Sequence, residues 1–360
     1  MRTVSSMAIA ASLLIFHLAC AASASSKPAA GIAGNTATTD AASGVGVEAP
    51  AGATKTDVRT NGLYAELYVP AHKRRLPALI AIGGAEGGLD VTSQMAVTFV
   101  PSGYAVLVLA YFHDPGLPER LEGVPLEYFH SAIEWLVHRP EIDPRRVGII
   151  GWSRGAEAAL LVASREPLIH AVVAVAPSSY VWSFPSFGGP SEPKPTWTVS
   201  GHAVPSVAPQ PPKDFRPGTP IKVLFDSYLA QAELRPDAVI PVEKIKGPIL
   251  LISGGDDHLS PSGEMAEQII SRLRSARFPY VYRHLSYAGA GHVAFVGNPS
   301  QWTGKKARSL VNPMLGGTLA ADTTAWTDDW PKTLRFLAAA LGPRSAYAGR
   351  RLTDGPVSTR

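Results

Sequence analysis

Residues 147–164 read VGIIGWSRGAEAALLVAS. Val147–Gly151 is short and apolar, as in a strand buried on both faces. Arg154–Arg165 is rich in Ala and Leu, strong helix formers. Between them, Gly151-Trp152-Ser153-Arg154-Gly155 matches G-x-S-x-G. Three fixed positions carry little information alone, but a strand before and a helix after supply the context of a nucleophile elbow. The glycines allow a turn too tight for a side chain, and the helix N-terminus aims free N–H groups at the serine oxygen and a developing oxyanion. The other reading is an ordinary Gly-rich βα turn with a capping Ser, and the residues elsewhere in the chain decide between them.

Working outward, apolar runs at Pro77–Ile82, Tyr104–Leu109, Ile169–Val175 and Pro248–Ser253 read as strands, with Tyr280–Tyr287 as another. Leu63–Val69 alternates and reads as a half-buried, antiparallel edge strand. Pro125–His138 places Leu126, Phe129, Ile133 and Leu136 at helical spacing. Ser260-Pro261 reads as an N-cap followed by Pro at the first position of a helix whose apolar face is Met265, Ile269, Ile270 and Leu273. Trp330–Leu341 reads as a closing helix. Strands alternating with helices imply an α/β class with a mostly parallel central sheet covered on both faces.

A serine hydroxyl needs a base, and in this architecture the order is Ser, then Asp or Glu, then His. Gly254-Gly255-Asp256-Asp257-His258 follows one predicted strand, and Ala288-Gly289-Ala290-Gly291-His292 follows the last. Both loops lie past carboxyl ends of strands, where open α/β sheets place ligands. Ser153, Asp257 and His292 are the expected catalytic set. Asp257 is preferred because His-Leu-Ser-Pro follows it in a D-x-x-[VS]-P-like run, with Asp256 as its rival. His258 abuts the aspartates, and His284 lies inside a strand. The backbone N–H groups of Arg154 and of Ala85, in the Gly83–Gly88 loop, are the expected oxyanion donors. Glu157 stands i, i+3 from Arg154, either bracing the elbow or forming a surface pair. No metal and no cofactor is expected: HExxH and G-K-[ST] are absent, and no third imidazole is well placed.

Residues 177–220 hold eleven prolines, and the rhythm of elements breaks between Val175 and Pro248. Residues 178–245 are read as a lid insertion over Ser153, with Trp182, Phe184 and Trp197 expected to line an acyl pocket. Arg2 followed by an apolar run, Ala8–Ala19, and A-x-A sites reads as a secretory signal peptide over residues 1–24. That implies a periplasmic or secreted protein, with a lipoprotein anchor at Cys20 as an alternative. Residues 25–55 read as a flexible linker, 56–345 as the folded domain and 346–360 as a tail. The run at 8–19 is too short to span a bilayer, and no membrane span is expected in the mature chain. The net charge of +4, with no dense Lys/Arg block, argues against a nucleic-acid partner. The single cysteine excludes an intrachain disulfide.

Taken together, IGGAEGGL, GYAVLVLAYF, PLEYFHSAIEWL, GWSRGAEAALLVAS, GPILLISGGDDHLSPSGEMAE and LSYAGAGH resemble the acyl-CoA thioesterase / bile acid-CoA:amino acid N-acyltransferase family. The resemblance is to its α/β-hydrolase domain, related to dienelactone hydrolases, and runs from about residue 60 to residue 341. It implies an α/β-hydrolase fold with Asp257 and His292 at the family's acid and base. The family's nucleophile is Ser in thioesterases and Cys in amino-acid transferases, so Ser153 points to hydrolysis of an acyl ester or thioester through an acyl-serine. Two departures bear on substrate. The family's acyl-CoA enzymes carry an N-terminal β-domain, where this chain has the linker and one or two strands. They also act inside cells, where CoA thioesters are found, whereas this chain begins with the expected signal peptide, so the resemblance carries over the fold and the triad but not the acyl-CoA substrate. Acyl transfer to an amine or alcohol and a non-catalytic binding role are the alternatives.

Overall fold

The computed structural model describes residues 47–71, 75–183, 194–208 and 221–342. The proposed signal peptide, the linker up to residue 46, Phe184 and the 346–360 tail lie outside the described residues. Eight strands form one sheet: β1 Ala53–Val58, β2 Tyr64–Pro70, β3 Leu76–Ile82, β4 Ala105–Ala110, β5 Ile142–Trp152, β6 Val172–Val175, β7 Ile249–Gly254 and β8 Tyr282–Tyr287. Their order is β1-β2-β4-β3-β5-β6-β7-β8. From β4 to β8 every neighbouring pair is parallel, while β2 is antiparallel to both β1 and β4.

The continuous apolar runs become the middle of the sheet. Every residue of β4 (AVLVLA) is buried, as is every residue of β7. Such strands have apolar cover on both faces. On one face pack α2, Leu126–Val137, and α3, Arg154–Ala163; Leu126, Phe129, Ala132, Ile133 and Leu136 are the buried stripe of α2. The other face carries α1, Asp90–Ala96, and α7, Leu319–Leu341, which contributes Trp326, Leu337 and Leu341 to the core there. Among the described residues the other α-helices are α4, Ile221–Ala232, α5, Ser262–Ser275, and the short α6, Gly304–Ser309. No helix among the described residues is long and apolar enough to cross a membrane.

The structure departs from the sequence reading at several places. The chain is already strand at Ala53, inside the segment read as linker, and Val47 is held by the Tyr68 hydroxyl at 2.9 Å. The edge is therefore β1, and β2 is an interior strand. Helix α5 starts at Ser262 and not after a Ser260 cap, because the Ser260 N–H and hydroxyl are drawn to the Asp257 carboxylate. Helix α7 begins eleven residues before Trp330 and runs through Pro331. The missing proline N–H is tolerated because Trp326, Asp329, Thr333 and Leu337 stay buried on one face.

Within 178–245, the described parts contain α4 and a small sheet in which Trp197–Val199 pairs with Val124–Pro125 and with His202–Ala203. Tyr180 and Trp182 pack with Val207, Leu224 and Tyr228 into a separate apolar cluster that also holds Met265 of α5.

Candidate active site

Ser153 sits between β5 and α3 with φ 54° and ψ −118°. A non-glycine residue there is strained, and strain of this kind collects at functional sites. The elbow is tight on both sides. A Cβ on Gly151 would lie 2.1 Å from the Gly155 carbonyl oxygen, and one on Gly155 would lie 2.2 Å from the Gly83 carbonyl oxygen. The Gly83–Gly88 loop thus lies directly against the elbow, and a Cβ on Gly84 would meet Ser153 Cβ at 3.2 Å. The buried Tyr111 hydroxyl fixes this loop, reaching the carbonyls of Gly83 and Gly84 at 3.0 and 3.2 Å. Ala85 lies in the turn of that loop. Arg154 opens α3, so its N–H has no acceptor within the helix. These are the two backbone N–H groups that the sequence reading expects as oxyanion donors.

Glu86 completes the loop by accepting the Gly84 N–H at 2.9 Å. Its charge also reaches His292.

Asp257 and His292 leave the ends of the adjacent strands β7 and β8 and meet. His292 Nδ1 is 2.9 Å from Asp257 Oδ2, and both side chains are buried. His292 Nε2 is also buried and has no hydrogen-bond partner among the described residues. Asp257 further accepts the N–H groups of Leu259 and Ser260 and the hydroxyl of Ser262 at 2.9, 3.0 and 2.5 Å. Burial on its own would raise the Asp257 pKa. The His292 charge and these hydrogen bonds outweigh it and hold the carboxylate below its ordinary value. Burial likewise disfavours an imidazolium at His292, but Asp257 first and Glu86 second turn the net shift upward. Beyond His292, Phe295 stacks on Trp152 and accepts its indole N–H at 3.1 Å, tying the histidine loop to the elbow.

The other candidates are placed elsewhere. Asp256 is paired with His258 at 2.9 Å on the surface. His284 bridges Ser253 and Glu267. Trp197 is not on an open wall: its indole is fully buried beside Tyr111 and Phe129, and its Nε1 donates to Glu157 at 2.8 Å. Trp182 is also buried, its N–H donating to Glu157 and its Nε1 to Ser178 Oγ. The Trp197 indole turns inward onto Glu157, a carboxylate in a helix that is apolar after Arg154, whereas the Trp182 indole packs in the cluster with Tyr180 and Val207. The Glu157 carboxylate is held by Arg154 at 2.6 Å, and Arg154 also reaches the Trp182 carbonyl and the Thr196 hydroxyl. Burial raises the Glu157 pKa, against the pull of Arg154 and the Trp197 and Trp182 N–H groups.

Glu157→Ala would leave the part-buried Arg154 guanidinium without its carboxylate and the buried Trp197 indole N–H without its acceptor. Breaking one partner of a buried pair costs about 3–5 kcal/mol. Urea unfolding of the variant is expected to show a loss of that order; a change under about 1 kcal/mol would mean the network is not holding the elbow.

A family model described as BAAT / acyl-CoA thioester hydrolase C terminal matches residues 124–343. The chain is 30% identical to the mouse (Mus musculus) peroxisomal succinyl-coenzyme A thioesterase over 84% of this chain and 69% of that protein. It is 29% identical to mouse acyl-coenzyme A amino acid N-acyltransferase 1 over 76% of this chain and 62% of that protein. It therefore spans about two thirds of the length of these relatives. Among solved structures, a putative dienelactone hydrolase from Klebsiella pneumoniae superposes with TM-score 0.50 at 16% identity, covering 79% of this chain and 98% of that one. An α/β-hydrolase enzyme from a Medee basin deep-sea metagenome library superposes with TM-score 0.50 at 17% identity, covering 81% of this chain and 99% of that one.

Proposed function

The chain belongs to the BAAT / acyl-CoA thioester hydrolase C-terminal family and has an α/β-hydrolase fold, and from that premise we propose that it is a serine hydrolase of acyl thioesters or esters. The observation that carries this reading is the strained Ser153 at the elbow, with the buried Asp257–His292 pair past the carboxyl ends of strands on the same side of the sheet.

In the proposed reaction, Ser153 Oγ attacks the acyl carbonyl while His292 Nε2 takes the hydroxyl proton. Asp257 holds the Nδ1–H tautomer and stabilises the imidazolium that forms. The carbonyl oxygen, now negative, is bound by the N–H groups of Arg154 and Ala85 at the positive end of α3. His292 returns its proton to the leaving thiol or alcohol, and the carbon–sulfur or carbon–oxygen bond breaks. Water, deprotonated by His292, then releases the acid from Ser153. The relatives named as N-acyltransferases support one variation, in which an amine replaces that water.

The test is a panel of acyl-CoA thioesters and oxygen esters of increasing acyl length, each with and without amine acceptors, read by product analysis and intact mass. We expect acid release and an acyl adduct on Ser153. Each buried CH₂ of the acyl chain adds roughly 0.8 kcal/mol where an apolar pocket receives it. No turnover and no adduct across the panel would sink the reading. We further propose that residues 1–24 direct export to the periplasm or beyond, on the charged start, apolar run and A-x-A sites. N-terminal sequencing of the protein recovered from its producing cells tests this; an intact Met1 would overturn it.

A further inference from the structure

Acid and base stand in two loops, after β7 and β8, that the sheet itself does not hold. The ladder between those strands ends at Gly254 and Tyr287. A direct link continues as far as the Asp256 N–H, which donates to the Ala290 carbonyl at 2.9 Å. Beyond it, the described backbone bonds from His258 and His292 run to a third segment. The Leu315 carbonyl accepts the N–H of His292 at 2.8 Å and that of His258, the residue after Asp257, at 3.4 Å. Gly316 pairs with Asp257 as an antiparallel bridge. The Gly317 N–H donates to Asp256 Oδ2 at 3.1 Å. Asp322, buried at the start of α7, accepts the N–H of Gly291, the residue before His292, at 2.8 Å.

We propose that Leu315–Gly317, together with Asp322, is a strap that positions Asp257 and His292 against each other. These are positioning residues for the reaction proposed above, and the inference rests on that reading of the site.

Space and backbone both require glycine in the strap. Gly316 and Gly317 each have φ +72°. A Cβ on Gly316 would lie 1.8 Å from the Asp256 carbonyl oxygen and 2.9 Å from the His258 nitrogen. A Cβ on Gly317 would lie 2.4 Å from the Gly291 nitrogen and 2.7 Å from Asp322 Oδ1. A side chain at either place would push one loop away from the other. The pair meets through one hydrogen bond, and a misplacement of about 1 Å in such a constellation can cost about 10²-fold in rate.

The experiment compares wild type with Asp322→Ala, Asp322→Asn and Gly316→Ala. It reads kcat and KM on a thioester or ester that wild type turns over, thermal unfolding, and the titration midpoint of His292 by ¹³C-imidazole NMR. Asp257 and Glu86 are the charges acting on that imidazole. Asp322→Ala is expected to lower kcat about 10- to 100-fold with KM within about twofold. The His292 midpoint should fall, because the Asp257 charge is then less well placed. Asp322→Asn keeps an oxygen for the Gly291 N–H and should restore most of both. Gly316→Ala should show a larger loss of the same kind; should it not fold, the Asp322 pair decides. Wild-type kcat and midpoint in Asp322→Ala would overturn the strap, as would a loss that follows only the unfolded fraction with the midpoint unmoved. If wild type turns over no acyl substrate, the hydrolase reading fails while the NMR midpoints still judge the strap.

Discussion

Ser153→Ala is expected to abolish covalent turnover, lowering kcat on the order of 10³-fold or more while the protein stays folded. The fold should survive because the substitution removes one oxygen and leaves the backbone of the elbow, whose tightness is set by Gly151 and Gly155. His292→Ala should be nearly as damaging, because Ser153 then has no base to take its proton. His258→Ala should cost little: its ring is on the surface, paired with Asp256 and with the Pro313 carbonyl. The measurement is ester or thioester turnover with labelling by a fluorophosphonate, which needs the same activated hydroxyl as an acyl substrate. Wild type and the His258 variant should label, and the Ser153 and His292 variants should not. Activity abolished by His258→Ala and retained in His292→Ala would reverse the assignment of the base.

Much of this architecture is legible in local sequence, for a physical reason in each case. The apolar runs ending in glycine, such as Pro77–Ile82 followed by Gly83-Gly84, read as buried strands because both faces of the middle of the sheet are covered. The elbow is legible because its steric demand falls on Gly151 and Gly155, four positions apart. Other features depend on contacts far apart in sequence. Trp182 and Trp197 suggest a pocket wall when they are seen only as large aromatics in a proline-rich segment. The inward turn of Trp197 follows from Glu157, and the available signal was a carboxylate within AEAALLVA, which cannot be buried unpaired; the Trp182 indole is held by Ser178, four residues before it. Pro331 hides the start of α7, since a proline early in an apolar-periodic run looks like a first turn. The strap at Leu315–Gly317 has no periodicity at all. Its glycines are needed by residues about 25 and 60 positions earlier in the chain, so nothing local marks them beyond the Gly-Gly pair itself.

Asp257→Asn should lower kcat by on the order of 10³- to 10⁴-fold, far more than Asp256→Asn. Asp257 accepts Nδ1–H of His292, which leaves Nε2 unprotonated to act as base. An asparagine can present its NH₂ to Nδ1 instead, and that favours the tautomer with the proton on Nε2, where it cannot accept from Ser153. The pH dependence should shift as well, and its sign is set. Catalysis needs neutral His292, so kcat/KM falls as pH drops through the histidine pKa. In wild type that pKa is raised, because the Asp257 charge and hydrogen bond, with Glu86 behind them, overcome the burial that would lower it. In Asp257→Asn the largest raising influence is gone while the burial remains, so the acid limb of the residual activity should move to lower pH. Asp256→Asn removes a surface partner of His258 and weakens one tie to Gly317, so its acid limb should stay near that of wild type. The check is a kcat/KM profile from about pH 4 to pH 9, spanning the ordinary histidine pKa of about 6.5, for the three proteins. A limb that stays in place in Asp257→Asn, or a large loss confined to Asp256→Asn with folding retained, would transfer the acid's role to Asp256.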